Sequence, residues 1–205
     1  MVGKMLVMSK RGTVDPNLQT GRIDDGTADE AALLRRIAAG ERAAFETLYR
    51  AYFPRLTRFL ERVMRRPHAV EEVLNDAMLV VWRKAASFNG QSKVSTWIFS
   101  IAYRKALKAI SRFDEPVEAD QEAFESTQLG PESQLMHRQR CALLLQQIGR
   151  MSAEHRAVIE LTYYHGCAYR EIAQIMECPV DTVKTRMFHA RRRLRRFLSD
   201  HKEDL

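Results

Sequence analysis

The stretch from Tyr169 to Leu198, YREIAQIMECPVDTVKTRMFHARRRLRRFL, constrains this chain more than any other. It reads as a short helix, a tight corner at Glu177-Cys178-Pro179, and a longer basic helix. Val180, Val183, Met187, Ala190, Leu194 and Phe197 recur at steps of three and four, which draws one apolar seam along the second helix. Opposite the seam fall Thr185, His189, Arg192 and Arg196, with Lys184, Arg191 and Arg195 along one flank. From Lys184 to Arg196 there are seven Lys or Arg and no Asp or Glu. One face for a core and one for phosphates is what the second helix of a helix-turn-helix requires. A plain solvated basic helix is the competing reading, and the short helix and corner before it argue against that.

The chain as a whole has 33 Lys and Arg against 26 Asp and Glu over 205 residues, a net charge of +7 that favours a polyanionic partner. It has no run of about eighteen apolar residues, so no membrane insertion is expected. The apolar part of MVGKMLVMSKRGTVDPNLQTGRIDDG is too short for a secretory signal, and residues 1–26 read as a flexible N-terminal tail. Cys141, Cys167 and Cys178 are far apart, form no CxxC pair and have no histidine at metal-ligand spacing. They read as small buried or half-buried residues, with no metal. There is no Gly-rich phosphate loop, HExxH or nucleophile elbow. No catalytic residue and no cofactor are expected.

Order is expected to begin near Thr27, which has capping-box spacing to Glu30, with a helix over Ala32 to Ala39 ended by Gly40. Phe45, Leu48, Tyr49, Tyr52, Leu56, Phe59, Leu60 and Val63 form a helical stripe that Pro54 should kink or interrupt. After Arg66-Pro67, Val70, Val73, Leu74, Ala77 and Val81 face one way, and Leu79 and Trp82 fall away from the stripe's centre. Ser95 can cap a fourth helix that is apolar on two sides: Val94, Ile98 and Ile101 on one, Phe99, Tyr103, Leu107 and Ile110 on the other. Such a helix is central in its bundle or keeps one face for something else.

The segment from Asp114 to Glu132 has seven acids, no Lys or Arg and two prolines, a linker signature. With those acids set aside, 19 remain against 33 bases, so the rest of the chain carries +14. Beyond it a helix over Leu135 to Ile148, stopped by Gly149, leads to one capped by Ser152. The short helix then turns Ile172, Ala173 and Met176 inward. The expected fold is all-α: two small helical bundles joined by a flexible acidic linker, the second containing the helix-turn-helix. The boundaries are 27–112, 113–134 and 135–200.

Two stretches resemble the extracytoplasmic-function (ECF) sigma factors of bacterial RNA polymerase. AFETLYRAYFPRLTRFLERV, AVEEVLNDAMLVVWRKAASFNG and STWIFSIAYRKAL are similar to the family's region two. MSAEHRAVIELTYYHGCAYREIAQIMECPVDTVKTRMFHARRRL is similar to its region four. The resemblance implies a protein that binds core polymerase, at the clamp coiled coil and the flap, reads the −35 promoter element and melts the −10 element. It implies that Thr182, Lys184, Thr185, Arg186, His189 and Arg192 contact −35 DNA. Phe88, Asn89, Gln91, Ser92, Lys93, Trp97 and Arg104 would serve the −10 element, where a flipped base needs a snug pocket and a polar reader. Glu72, Asp76, Leu79, Trp82 and Arg83 would contact polymerase. An anti-sigma factor is an implied partner, with the protein cytoplasmic or held by that partner at the inner membrane.

Some assignments stay open on the residues alone. Arg191, Arg192, Arg195 and Arg196 fit phosphate contacts or surface charge equally, Trp97 fits a core as well as a stacking platform, and Glu71 and Glu72 suit a helix N-terminus. The sequence departs from the family's pattern at Tyr103-Arg104 (often Arg-Asn), Lys105 (usually apolar), Ala168 (often Ser), Asp181 (often Gly) and His189 (often Arg). A stand-alone dimeric helix-turn-helix regulator is the second reading. An enzyme acting on nucleic acid is the third, and it has no site.

Overall fold

The computed structural model describes residues 24–112 and 142–200, with side chains from Asp29 onward. The described residues are α-helical throughout, with no strand among them, which is the class expected. The tail before residue 24, the acidic linker and the first part of the helix expected from Leu135 lie outside the described residues.

Helix α1 spans Asp24–Ala38 and ends at Gly40, whose φ of 87° suits a residue without Cβ. It starts before Thr27, so Thr27 lies inside the helix and is not its cap. Helix α2 spans Arg42–Met64 and buries Leu48, Tyr52, Leu56, Phe59, Leu60 and Val63. It runs unbroken through Pro54, which therefore does not interrupt it. Pro54 and Arg50, the residue whose carbonyl loses its donor, are both exposed, so water can satisfy that carbonyl while the buried stripe holds the helix together.

Arg65, in the left-handed conformation at φ 56°, closes α2 by donating its N–H to the Glu61 carbonyl at 3.0 Å. Helix α3, Pro67–Lys84, follows with Pro67 in the first turn, where the missing donor costs nothing. A 3₁₀ turn, Ala85–Ser87, leads into the loop before α4, Val94–Arg112. Ser95 stands inside α4 and not at its cap; the Lys93 carbonyl accepts from the Trp97 N–H at 3.1 Å and starts the helix.

The second half contains α5 (142–149), α6 (Ala153–Tyr163), α7 (Tyr169–Met176) and α8 (Val180–Asp200). Ser152 does stand at the start of α6, but its hydroxyl pairs with His155 Nδ1 at 2.8 Å instead of a backbone N–H. In α7 the buried set is Ile172, Ala173, Ile175 and Met176, wider than the one face expected.

The two bundles lie against each other. Helix α4 packs on α2, α3 and α7, and α2 also packs on α6. The two-sided α4 is thus central: Ile98 and Ile101 are buried, and so are Phe99 and Tyr103. Leu161, Ile172 and Val183 of the second half join the same buried cluster as Leu56 and Ile98 of the first.

Charge crosses this seam as well as hydrocarbon. The buried Arg156 guanidinium of α6 donates through Nε to the Val63 carbonyl at 3.1 Å, near the end of α2, and also to the Met151 carbonyl. Arg65 Nη1 donates to the Gly149 carbonyl at 2.7 Å. A Cβ at Gly149 would lie 3.1 Å from the Arg65 guanidinium carbon, so the glycine makes room for that approach. The last carbonyls of a helix have no intrahelical donor, and a cation suits that end. Burial and the neighbouring Arg65 bring Arg156 down to about 10, which leaves it charged at neutral pH. Arg156→Met should lower stability by about 2–3 kcal/mol, because buried carbonyls lose their donor. A urea midpoint equal to the parent's would rule out that role.

Candidate nucleic-acid interface

Helix α8 begins where the Pro179 carbonyl accepts from the N–H groups of Thr182 at 3.0 Å and Val183 at 3.3 Å. Val183, Met187 and Ala190 are buried, as their spacing predicts. Lys184, Thr185, His189 and Arg192 are exposed on the other side, and Thr182 is half-buried. Arg186 does not share that face. It is half-buried on the inner edge, with Nη1 3.8 Å from Cys178 Sγ, because it falls next to the apolar seam. Lys184 Nζ pairs with the Asp181 carboxylate at 2.9 Å, one turn earlier. Arg191 Nε donates to the Tyr163 hydroxyl at 2.9 Å and so braces α8 on α6.

Sequence reasoning missed Phe188. Its side chain is 61% exposed, one turn from both Lys184 and Arg192 and edge-on to His189 at 5.6 Å. A large apolar ring outside the seam of a basic helix was the available signal, and the charge run hid it.

The residues expected to serve −10 DNA gather around the start of α4 and its exposed edge. The Phe88 and Trp97 rings meet at a tilt of 56° with centroids 5.6 Å apart, both half-buried, so Trp97 is part packing and part surface. Asn89 Oδ1 accepts from the Gln91 N–H at 3.0 Å and fixes the loop's turn. Asn89, Gln91 and Lys93 are exposed and Ser92 is half-buried. Lys93 Nζ lies 2.9 Å from Glu171 Oε1, and Arg104 pairs with Glu177. Both acids belong to the helix-turn-helix. Glu171 also accepts from the Ala168 N–H at 2.7 Å, so α7 has half of a capping box although Ala168 has no side-chain acceptor.

On α3, Glu72, Asp76, Leu79 and Arg83 are exposed, Leu79 by 43%. Trp82 is less free than the stripe suggested: it is half-buried, edge-on to Phe45 at 5.2 Å. Lys105 Nζ pairs with Asp76 at 2.9 Å, so the unusual cation on α4 steadies one acid of this surface. Phe53 of α2, 39% exposed and 5.7 Å from Tyr49, is a further exposed aromatic of this bundle that sequence reasoning did not select.

Comparison with known proteins shows the family. Residues 48–115 match the family model Sigma-70 region 2, and residues 138–194 match Sigma-70, region 4. The ECF RNA polymerase sigma factor RpoE of Cereibacter sphaeroides is 30% identical over 175 residues, covering 83% of this chain and 96% of that protein. The chain belongs to the ECF sigma factors. RNA polymerase sigma-H factor of Pseudomonas aeruginosa is 27% identical, over 78% of this chain and 88% of its own. The sigma factor RpoE of Bartonella quintana, solved in complex with the anti-sigma factor NepR, shares the fold at a TM-score of 0.62 and 22% identity. That match covers 76% of this sigma factor and 96% of the solved chain. No helix among the described residues is long and apolar enough to cross a membrane.

Two half-buried groups of this sigma factor report on the contact between its halves. Burial pushes the Cys167 thiol up to about 12, so it stays protonated at neutral pH. His165, just beyond α6, lies 4.6 Å from the Phe99 ring, 6.1 Å from Phe59 and 5.1 Å from Tyr164, and its buried Nε2 has no hydrogen-bond partner. Burial first, then Arg55 and Arg58, bring it down to about 4. A histidine whose folded value lies below its unfolded value is held neutral, and its share of stability is lost as pH falls from about 6.5 through 4. The urea midpoint should therefore drop between about pH 7.5 and about pH 5, and by less in His165→Phe. Equal drops in the two proteins would exclude His165 as the cause.

Proposed function

We propose that this sigma factor binds core RNA polymerase through α3, reads a −35 element with the outer face of α8, and opens −10 DNA with residues 88–93 and the edge of α4. The observation that carries the reading is the outer face of α8. Lys184, Thr185, Phe188, His189 and Arg192 stand exposed on a helix whose opposite seam is buried. Lys184 can donate to guanine O6 or N7, Thr185 to a base edge or phosphate, and the Phe188 ring can meet a thymine methyl. Arg192 fits phosphate.

At the other end, Phe88 and Trp97 offer aromatic surface for an unstacked base, with Asn89, Gln91, Ser92 and Lys93 as polar neighbours. Glu72, Asp76, Leu79 and Arg83, with Trp82 behind them, fit the clamp's coiled coil as an apolar contact ringed by charge. The protein does no chemistry of its own in this reading. It works in the cytoplasm, with an anti-sigma factor as partner, as in the Bartonella quintana complex.

Co-purification with core polymerase followed by run-off transcription tests the reading. Retention without a promoter-dependent transcript, or no retention, would sink it. Lys184→Ala and Phe188→Ala should each lower transcription from a matched promoter by about 5- to 150-fold, as one base contact is worth about 1–3 kcal/mol. Leu79→Asp should instead reduce retention on core polymerase. A gel shift separates the regulator alternative, which requires tight duplex binding by the protein alone.

A further inference from the structure

Glu72, Asp76, Leu79 and Arg83 follow one another at steps of four, three and four, one exposed strip along α3. Asp76 has no counter-charge within reach on its own helix. Its neighbours one turn away are Glu72, Val73, Leu79 and Val80, an acid and three apolar residues. The charge comes from α4 instead. A groove of about 80 Å³ lies between the two helices, with Glu72 and Asp76 on the α3 wall and Lys105, Lys108 and Arg112 on the α4 wall. Among the described residues Lys105 is the cation that crosses it, with Nζ 2.9 Å from Asp76 Oδ2.

The Asp76 side chain is 55% exposed and that of Lys105 only 33%, so the lysine lies low against the protein while the carboxylate faces out. In water such a pair is weak, because solvent screens both ends. Under a partner protein the balance changes. Each charge then loses its water, and a charge covered without its mate costs more than the pair itself gives. Asp76 enters such a contact already neutralised. A carboxylate has two oxygens, so with one held by Lys105 the other still accepts from an N–H or O–H of the partner. With an apolar residue at 105, polymerase itself would have to bring the cation.

We propose that Lys105 is a specificity-determining residue of the polymerase contact. It supplies the counter-charge of Asp76 from within the chain, so the surface that docks on α3 needs a neutral hydrogen-bond donor, and no cation, opposite Asp76. This rests on the polymerase contact assigned to α3 above and deepens it. Glu72 is left as the acid of the strip that a cation of the partner can meet. The strip thus reads as one acid, one neutralised acceptor, one apolar contact and one base.

The test titrates the fluorescently labelled full chain with core polymerase and follows anisotropy. Lys105→Met and Asp76→Asn should each weaken binding by about 5- to 30-fold, since each leaves one charge covered without its mate. The double variant should return to within about threefold of the parent, and so should Lys105→Arg, which keeps the cation. Urea midpoints of the free variants give the structural readout, and they should stay close to the parent's because an exposed pair adds little to stability. Midpoints that fall in step with the affinities, or losses that add in the double variant, overturn the proposal. So does Lys105→Met binding as the parent does, or binding more tightly, which would mean that polymerase carries a cation for Asp76. If Leu79→Asp also binds as the parent does, it is the α3 contact itself that fails, so the two failures are told apart.

Discussion

Helix α4 has to bury two sides, and the rest of the molecule follows from that. A helix with a single apolar stripe is satisfied by one neighbour; Ile98 and Ile101 on one side and Phe99 and Tyr103 on another demand more. Helices α2, α3 and α7 all pack on α4, and Phe99 alone meets both Phe59 of α2 and His165 of the second half. The closeness of the two bundles is a consequence of that demand. It brings the acids of α7 to the cations of α4 and places His165 against Phe99.

The polar members of the seam limit how permanent it is. Hydrocarbon alone would make the two halves one core. Arg156, Glu160 and His165 each lose hydration there, and only the first two gain partners that offset the loss. Burial raises the Glu160 carboxyl, with Arg58 and Arg62 pulling it back. A seam built this way is held by many small terms that shift with pH and salt.

Much of this was legible in the sequence because it is written locally. The seams of α3 and α8 depend on spacing within one helix, and Val73, Leu74, Val183 and Met187 are buried where the period puts them. The caps were less readable. Thr27 and Ser95 have the chemistry of caps but lie inside their helices, since a cap residue competes with every neighbouring way of starting a turn. The ion pairs between α4 and α7 join residues 73 and 78 positions apart, and no periodicity reports contacts of that range. The two-sided pattern of α4 was the one local trace of them. For the site, Lys184, Thr185, His189 and Arg192 could be read from the face they occupy, whereas Arg186 needed its contact with Cys178 to be moved inward.

The pair formed by Asp181 and Lys184 bears on how selective α8 can be. A lysine alone is attracted to any phosphate it meets. Here each approaching phosphate must displace a carboxylate and then tolerate its charge nearby, an expense that falls on loosely placed encounters more than on a well-seated one. A guanine edge, with its two acceptors and no net charge, suffers less from the same neighbour. On the proposed −35 reading, Asp181 lowers affinity for all DNA and widens the gap between right and wrong sites, the gap a factor searching a genome depends on.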